Sequence, residues 1–175
     1  MKLVQIVFSP TGGTQKVADI LTEKWTGTVT RVDLSDGNLA ISDIAIEQED
    51  VALIAVPSYG GRVPGLAAQR LGKLKGNGAK CIIVCVYGNR AYEDTLVELK
   101  DIAENCGFQT VAAVSAVAEH SIMHQYATGR PDEKDIEELQ GFAETIFEQL
   151  TTGKLTASAP ELPGNRPYKK AGGAG

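Results

Sequence analysis

A loop rich in hydroxyl groups and glycine follows the first apolar segment of the chain. Residues 9–14 read S-P-T-G-G-T and lead directly into a segment with helical spacing of apolar residues. Backbone N–H groups at a helix N-terminus point outward and the helix dipole favours negative charge, so such a loop can hold an anion without a basic side chain. The patterns G-x-x-x-x-G-K-S/T and G-x-G-x-x-G are absent, so a terminal monophosphate fits better than ATP, GTP or a dinucleotide. The alternative is that Thr11 and Thr14 only cap the helix, where Ser and Thr are preferred.

Two of the three cysteines are predicted to pack in the core. Cys81 and Cys85 lie four residues apart in a predicted strand, on one face of it, and a redox-active dithiol is the alternative. With Cys106 the count is odd and no C-x-x-C spacing occurs, which argues against a disulfide scaffold and a zinc ribbon. Reduced thiols are therefore expected.

The two histidines have the spacing of a metal pair but little support for one. His120 and His124 lie four positions apart, Glu119 is the one neighbouring carboxylate, and the local helix signal is weak. We therefore predict no metal site. The alternative for His120 is a place beside a ligand or on a partner surface, because it follows a strand end.

The composition indicates one globular domain. The chain has 175 residues, of which 43% are apolar, and no apolar run approaches the roughly 20 residues of a membrane helix. Lys2 precedes a short apolar stretch without a signal-peptide pattern, so a cytoplasmic location is expected. Four basic residues and one acid give residues 151–175 a charge of +3, which leaves −8 for residues 1–150 out of the total of −5. Neither nucleic acid nor a membrane is an expected partner of this acidic part.

Strand and helix patterns alternate along the chain. Apolar and alternating segments predict strands at residues 2–8, 28–34, 51–56, 80–87 and 109–118. Four segments have the apolar spacing of a helix: Val17, Ala18, Leu21 and Trp25 in the first, and Leu66, Ala67 and Leu71 in the second. The third contains Leu96, Leu99, Ala103 and Cys106 and is expected to end at a cap at Gly107. The fourth begins after Pro131 and contains Ile136, Leu139, Ala143, Ile146 and Leu150. Five β-α units predict a parallel sheet with helices on both faces and ligands beyond the carboxyl ends of the strands.

The C-terminal segment reads differently from the rest. Residues 152–175 contain three prolines and five glycines and have no periodic apolar face, which is typical of a tail or linker. The folded domain is accordingly assigned to residues 1–151.

Three loops, in order, carry a family resemblance. The loop S-P-T-G-G-T resembles the S-x-T-G-x-T phosphate loop of flavodoxins, and two later loops resemble the flavin-binding loops of that family: P-S-Y-G-G-R-V-P at residues 57–64 and Y-G-N-R-A-Y at residues 87–92. The similarity covers roughly residues 1–150. It implies a doubly wound α/β fold with a five-stranded parallel sheet of order 2-1-3-4-5, and it implies flavin mononucleotide (FMN) as the cofactor.

The resemblance also implies a set of cofactor-binding residues. Those expected at the phosphate are Ser9, Thr11, Gly12, Gly13 and Thr14. Those expected at the isoalloxazine ring are Pro57, Ser58, Tyr59, Gly60, Gly61, Tyr87, Gly88, Asn89, Arg90 and Tyr92. Tyr92 is the favoured stacking residue with Tyr59 on the opposite side, and the alternative is that the tyrosines are aromatics at the edge of the core.

Two features of these loops bear on redox tuning. The Gly60–Gly61 peptide can flip to offer its carbonyl to the protonated flavin N5; the alternative is an ordinary tight turn. Flavodoxins commonly surround the flavin with acids, whereas Arg62 and Arg90 stand in these loops. Their charges would favour the anionic reduced flavin, unless both guanidinium groups point into water.

The function implied by the resemblance is electron transfer. The flavin would cycle between oxidised, semiquinone and hydroquinone states in an electron carrier or redox module for partner proteins, with no catalytic residues of its own. The enzyme alternative is an NAD(P)H-dependent FMN or quinone reductase of the same fold. A receiver-type signalling domain is disfavoured, because Ser9 and Thr11 stand where that class has acids. Some flavodoxin-like domains are fused to a C-terminal ferredoxin domain with 4Fe–4S clusters. Two interpretations of this chain therefore remain open: a piece of a larger protein of that kind, and a short flavodoxin with a tail.

Overall fold

The fold is built on one parallel sheet. The computed structural model describes residues 2–10, 12–59, 61–87, 94–117 and 133–151. The strands are β1 (Leu3–Val7), β2 (Val29–Asp33), β3 (Val51–Pro57), β4 (Lys80–Tyr87) and β5 (Gln109–Val117). They pair in parallel in the order β2-β1-β3-β4-β5. The predicted doubly wound sheet and its strand order are confirmed.

Helices cover both faces of the sheet. They are α1 (Gly13–Thr22), α2 (Gly65–Leu71), α3 (Thr95–Asn105) and α4 (Glu133–Thr151). Apolar residues of α1 and α4 share one buried cluster with the sheet, and those of α2 and α3 share the other. The rings of Trp25 and Phe147, the latter from α4, pack in a T-shaped arrangement with 4.7 Å between their centroids. Within the described ranges, no helix is both long enough and apolar enough to span a membrane.

The connection between β2 and β3 differs from the prediction. Residues 34–50 contain no α-helix and form a single 3-10 turn at Ile41–Asp43. Ile46 is buried, and Leu39, Ile41 and Ile44 pack half-buried against the α2 and α3 face of the sheet. These four apolar residues are spaced by two, three and two positions, which does not give the three-to-four-residue repeat of a helical stripe, so the segment covers the sheet as an irregular strap. The prediction of five β-α units was therefore wrong at its second unit.

The end of α3 matches the predicted cap. Gly107 has φ 96°, in the left-handed region that favours glycine. The N–H of Phe108 donates to the Ala103 carbonyl and that of Gly107 to the Glu104 carbonyl, both at 3.1 Å. These two bonds are the Schellman arrangement, which stops the helix and directs the chain into β5.

Candidate functional site

The first loop ends in a helix start that a distant hydroxyl stabilises. Gly12 precedes α1 with φ 92°, and no heavy atom lies within 4 Å of the position where its Cβ would stand. The backbone N–H of Gln15 donates to Ser9 Oγ at 2.9 Å. Ser9 therefore makes the bond that an N-cap side chain normally makes, from three residues further upstream. Capping of α1 thus involves Ser9, which had been assigned to phosphate binding alone.

The remaining N–H groups of this helix start are available to a ligand. The first N–H groups of an α-helix have no acceptor within the helix. Ser9 Oγ accepts the N–H of Gln15. For the N–H groups of Gly13 and Thr14, no described residue supplies an acceptor. Because the Ser9 oxygen accepts from Gln15, the hydroxyl proton of Ser9 also remains available for donation.

The loop that follows β2 is hydrogen-bonded to the first loop. The N–H of Ser9 donates to Ser35 Oγ at 2.8 Å, and the N–H of Ser35 donates to Asp33 Oδ1 at 2.9 Å. Sequence reasoning missed Ser35, although an Asp two residues before a Ser at a strand end is the pattern of an Asx turn. The loop that follows β2 therefore belongs to the candidate site.

A buried polar network lies below the loop, between β1 and α1. Gln5 is 1% exposed, and its Oε1 accepts from Gln15 Nε2 at 2.7 Å. Gln15 Nε2 also donates to Asp19 Oδ1 at 2.9 Å, and Gln5 Nε2 donates to Thr22 Oγ1 at 3.2 Å. A fully bonded network of this kind fixes the first turns of α1 against the sheet.

The second loop is a tight turn between two paired residues. Tyr59 and Arg62 exchange backbone hydrogen bonds of 2.9 and 3.0 Å. Between them, Gly61 has φ 80°, a conformation that few residues other than glycine adopt. Burial raises the pKa of Tyr59 above its usual value, so its half-buried ring is neutral at physiological pH.

The second loop is joined to helix α3 by an ion pair. Arg62 donates through Nε to Glu98 Oε1 at 2.7 Å and through Nη2 to Glu98 Oε2 at 2.9 Å. Glu98 Oε1 also accepts the N–H of Val63 at 2.9 Å. The guanidinium is therefore held by Glu98, so the alternative that Arg62 points into water was wrong. That its charge favours the anionic reduced flavin stays a prediction, with Glu98 as the balancing charge. Glu98 is buried because the second loop lies over this part of α3. The sequence of the helix alone has no pattern that predicts the burial of Glu98.

The loops converge at one edge of the sheet. Because β1, β3 and β4 are adjacent and parallel, the residues that follow their carboxyl ends share that edge. The N–H of Ser58 donates to the Val86 carbonyl at 2.9 Å, which places the second loop beside the end of β4 at Tyr87.

Several residues of the predicted site lie outside the described ranges. They are Thr11, Gly60, Gly88, Asn89, Arg90 and Tyr92. His120, His124 and the segment 152–175 also lie outside these ranges. In the part of the chain that the structure describes, no group of His, Cys, Asp and Glu side chains could hold a metal ion.

Cys81 and Cys85 belong to the core, as predicted. Cys81 and Cys85 are fully buried on the α2 and α3 face of the sheet, and all three cysteines are free thiols. Burial raises the pKa of Cys81 to about 12 and also raises the pKa of Cys85 and of half-buried Cys106. A buried neutral thiol is a poor nucleophile, so a redox-active dithiol at Cys81 and Cys85 is disfavoured.

Thiol labelling tests this assignment. At pH 8, a thiol of pKa near 12 has a thiolate fraction of roughly one in ten thousand, so iodoacetamide should not modify Cys81 or Cys85 in the native protein. We expect mass spectrometry to find native labelling at Cys106 alone, and labelling of all three cysteines in urea. Rapid native labelling of Cys81 or Cys85 would restore the dithiol interpretation.

The chain is similar to solved flavodoxins. The sequence matches no protein-family model and no curated protein. A flavodoxin from Streptococcus pneumoniae TIGR4 is 22% identical, with a TM-score of 0.61 over 85% of this chain and 99% of that one. Flavodoxin 1 from Bacillus cereus is 17% identical, with a TM-score of 0.60 over 85% of this chain and 98% of that one.

A third solved structure is described with its ligand. This flavoprotein from Lactobacillus acidophilus, in complex with FMN, is 13% identical, with a TM-score of 0.52 over 65% of this chain and 92% of that one. The strand order, the helices on both faces and these matches agree. The chain therefore has a flavodoxin-like fold.

Proposed function

We propose that this chain binds FMN at the carboxyl edge of its sheet and acts as an electron carrier for partner proteins. The observation that carries the proposal is the start of α1, where the N–H groups of Gly13 and Thr14 face no acceptor among the described residues. A phosphate supplies the acceptor oxygens and the negative charge that such a helix start favours.

The donors at this helix start fit a phosphate monoester. The Ser9 hydroxyl would donate to it together with the N–H groups of Gly13 and Thr14, and Thr11 and Gly12 would complete the loop. Open space at Gly12 lets a ligand approach the backbone closely. No lysine or arginine is present in residues 9–14, so the helix dipole and the hydrogen bonds would have to hold the anion.

The second and third loops would bind the isoalloxazine ring. Tyr59 offers a neutral aromatic ring in the second loop, and Gly61 holds the turn that follows it. Tyr87, Gly88, Asn89, Arg90 and Tyr92 are the proposed contacts of the third loop, with Pro57, Ser58 and Gly60 in the second. FMN, when bound, supplies one-electron chemistry, and the chain would position the ring and shield it from water.

The proposed partners are redox proteins. A ferredoxin domain with 4Fe–4S clusters, fused beyond this chain, is one proposed partner, and a cytoplasmic location remains the prediction from the sequence. The flavodoxin matches show the fold alone, so the choice of a carrier over other uses of that fold rests on the resemblance of the three loops to flavin-binding loops.

Titration with FMN tests the proposal. We expect apoprotein to bind one FMN per chain, to turn yellow, and to quench the fluorescence of the flavin. A carrier is expected to show negligible oxidation of NADH or NADPH with added quinone, whereas a reductase of the same fold would turn over. Failure of micromolar FMN to bind would contradict the proposed cofactor.

A further inference from the structure

The Glu98 carboxylate is buried and fully engaged by the second loop. Its side chain is 8% exposed, and that of Arg62 is 22% exposed. Three N–H donors, two from the Arg62 guanidinium and one from the backbone of Val63, point at its two oxygens. Such forked, charge-assisted contacts fix direction as well as distance.

The base of the turn has two further attachments to the start of α3. The hydroxyls of Ser58 and Thr95 are 2.7 Å apart, and the N–H of Asp94 donates to the Gly61 carbonyl at 3.1 Å. The segment from residue 58 to residue 63 is therefore attached to α3 before, within and after the turn. One residue separates Asp94 from the third loop in the sequence, so the helix start that binds the second loop also follows the third loop along the chain.

We infer that Glu98 is a positioning residue for the flavin: it holds the turn from Tyr59 to Arg62 in the geometry that receives the ring. This inference rests on the proposed function. It adds Glu98 as a residue that acts through the turn and is not assigned any contact with the flavin. A buried ion pair contributes little net stability relative to apolar residues of the same size, so its main effect is expected on the shape of the turn.

The inference predicts a signature that separates the ring from the phosphate. Gln at position 98 replaces one carboxylate oxygen with an N–H donor, so it cannot accept all three bonds. We expect Glu98→Gln to weaken the binding of FMN and of riboflavin by the same factor. That factor is about ten-fold, because one charge-assisted hydrogen bond is lost. A variant of the phosphate loop would instead affect FMN alone.

Amide hydrogen exchange reads the turn without any flavin. In the apoprotein, Glu98→Gln should raise the exchange rates of the Arg62 and Val63 amides at least about ten-fold. Arg62→Lys keeps the charge and loses the fork, so it should raise both rates by a smaller factor. The control is Glu104→Gln on the same helix, because Glu104 forms an exposed pair with Lys100 at 3.3 Å and does not touch the turn.

The outcomes separate the two proposals. Faster exchange at Arg62 and Val63 in Glu98→Gln, together with equal weakening of both flavins and no change in Glu104→Gln, supports the inference. Unchanged exchange, or unchanged flavin affinity in a protein that binds FMN, overturns it. If the wild-type chain binds no flavin, the proposed function is wrong, and so is the role of Glu98 toward the flavin. The exchange rates of the apoprotein still show, in that case, whether Glu98 holds the turn.

Discussion

FMN is expected to bind at least about a hundred-fold more tightly than riboflavin. The two ligands differ only by the phosphate, which would receive donors at the start of α1 from Gly13, Thr14 and the Ser9 hydroxyl. A hydrogen bond to a charged group contributes about 1.5–3 kcal/mol, and each 1.4 kcal/mol is a factor of ten. Two such bonds alone therefore give the expected ratio, before any contribution of the helix dipole.

Calorimetric titration of apoprotein with both ligands measures this ratio. The combined variant Thr11→Ala and Thr14→Ala removes the two threonine hydroxyls that the family resemblance implies at the phosphate and keeps the backbone donors. It should weaken FMN by about 1.5–3 kcal/mol for each hydroxyl hydrogen bond lost and should leave riboflavin nearly unchanged. Equal affinities of the wild-type protein for FMN and riboflavin would contradict a phosphate site at this loop.

The sheet was predictable because its strands are buried on both faces. Continuous apolar runs such as VALIAV at residues 51–56 and KCIIVCVY at residues 80–87 became β3 and β4 within one residue of the expected bounds. The connection from β2 to β3 was not predictable in the same way. Its apolar residues are held by the finished surface of α2 and α3, so the local sequence does not determine their arrangement.

The candidate site was predictable in its loops but not in their supports. The carboxyl ends of parallel strands locate a site, and glycine and hydroxyl residues mark the loops that can contact a ligand. The contact between Arg62 and Glu98 joins residues 36 positions apart, and the contact between Ser9 and Ser35 joins residues 26 positions apart. Such pairs depend on strand order, which the composition of either loop does not reveal.

Substitution of Gly76 is expected to destabilise the fold by about 3 kcal/mol without loss of FMN affinity in the folded protein. A Cβ at Gly76 would lie 2.6 Å from the backbone nitrogen of Phe108 and 2.9 Å from the carbonyl carbon of Gly107. Both neighbours are backbone atoms, and the N–H of Gly76 donates to the Cys106 carbonyl at 2.7 Å. The loops before β4 and β5 therefore cannot move apart without breaking the hydrogen bond between Gly76 and Cys106 that joins them. Overpacking costs roughly 1–3 kcal/mol of stability, and we place Gly76→Ala at the upper end of that range.

Gly141 provides a matched control, because the same substitution there should have the opposite sign. It lies inside α4 with no heavy atom within 4 Å of the position where its Cβ would stand, so Gly141→Ala should stabilise the protein by up to about 1 kcal/mol. Urea unfolding of both variants gives the free energies, and FMN titration at low urea gives the affinities. Gly76 precedes β4, at the amino end of the sheet, whereas the proposed flavin loops follow the carboxyl ends. A loss of FMN affinity in folded Gly76→Ala would contradict this expectation, because a change at the amino end would then affect a ligand site at the carboxyl end.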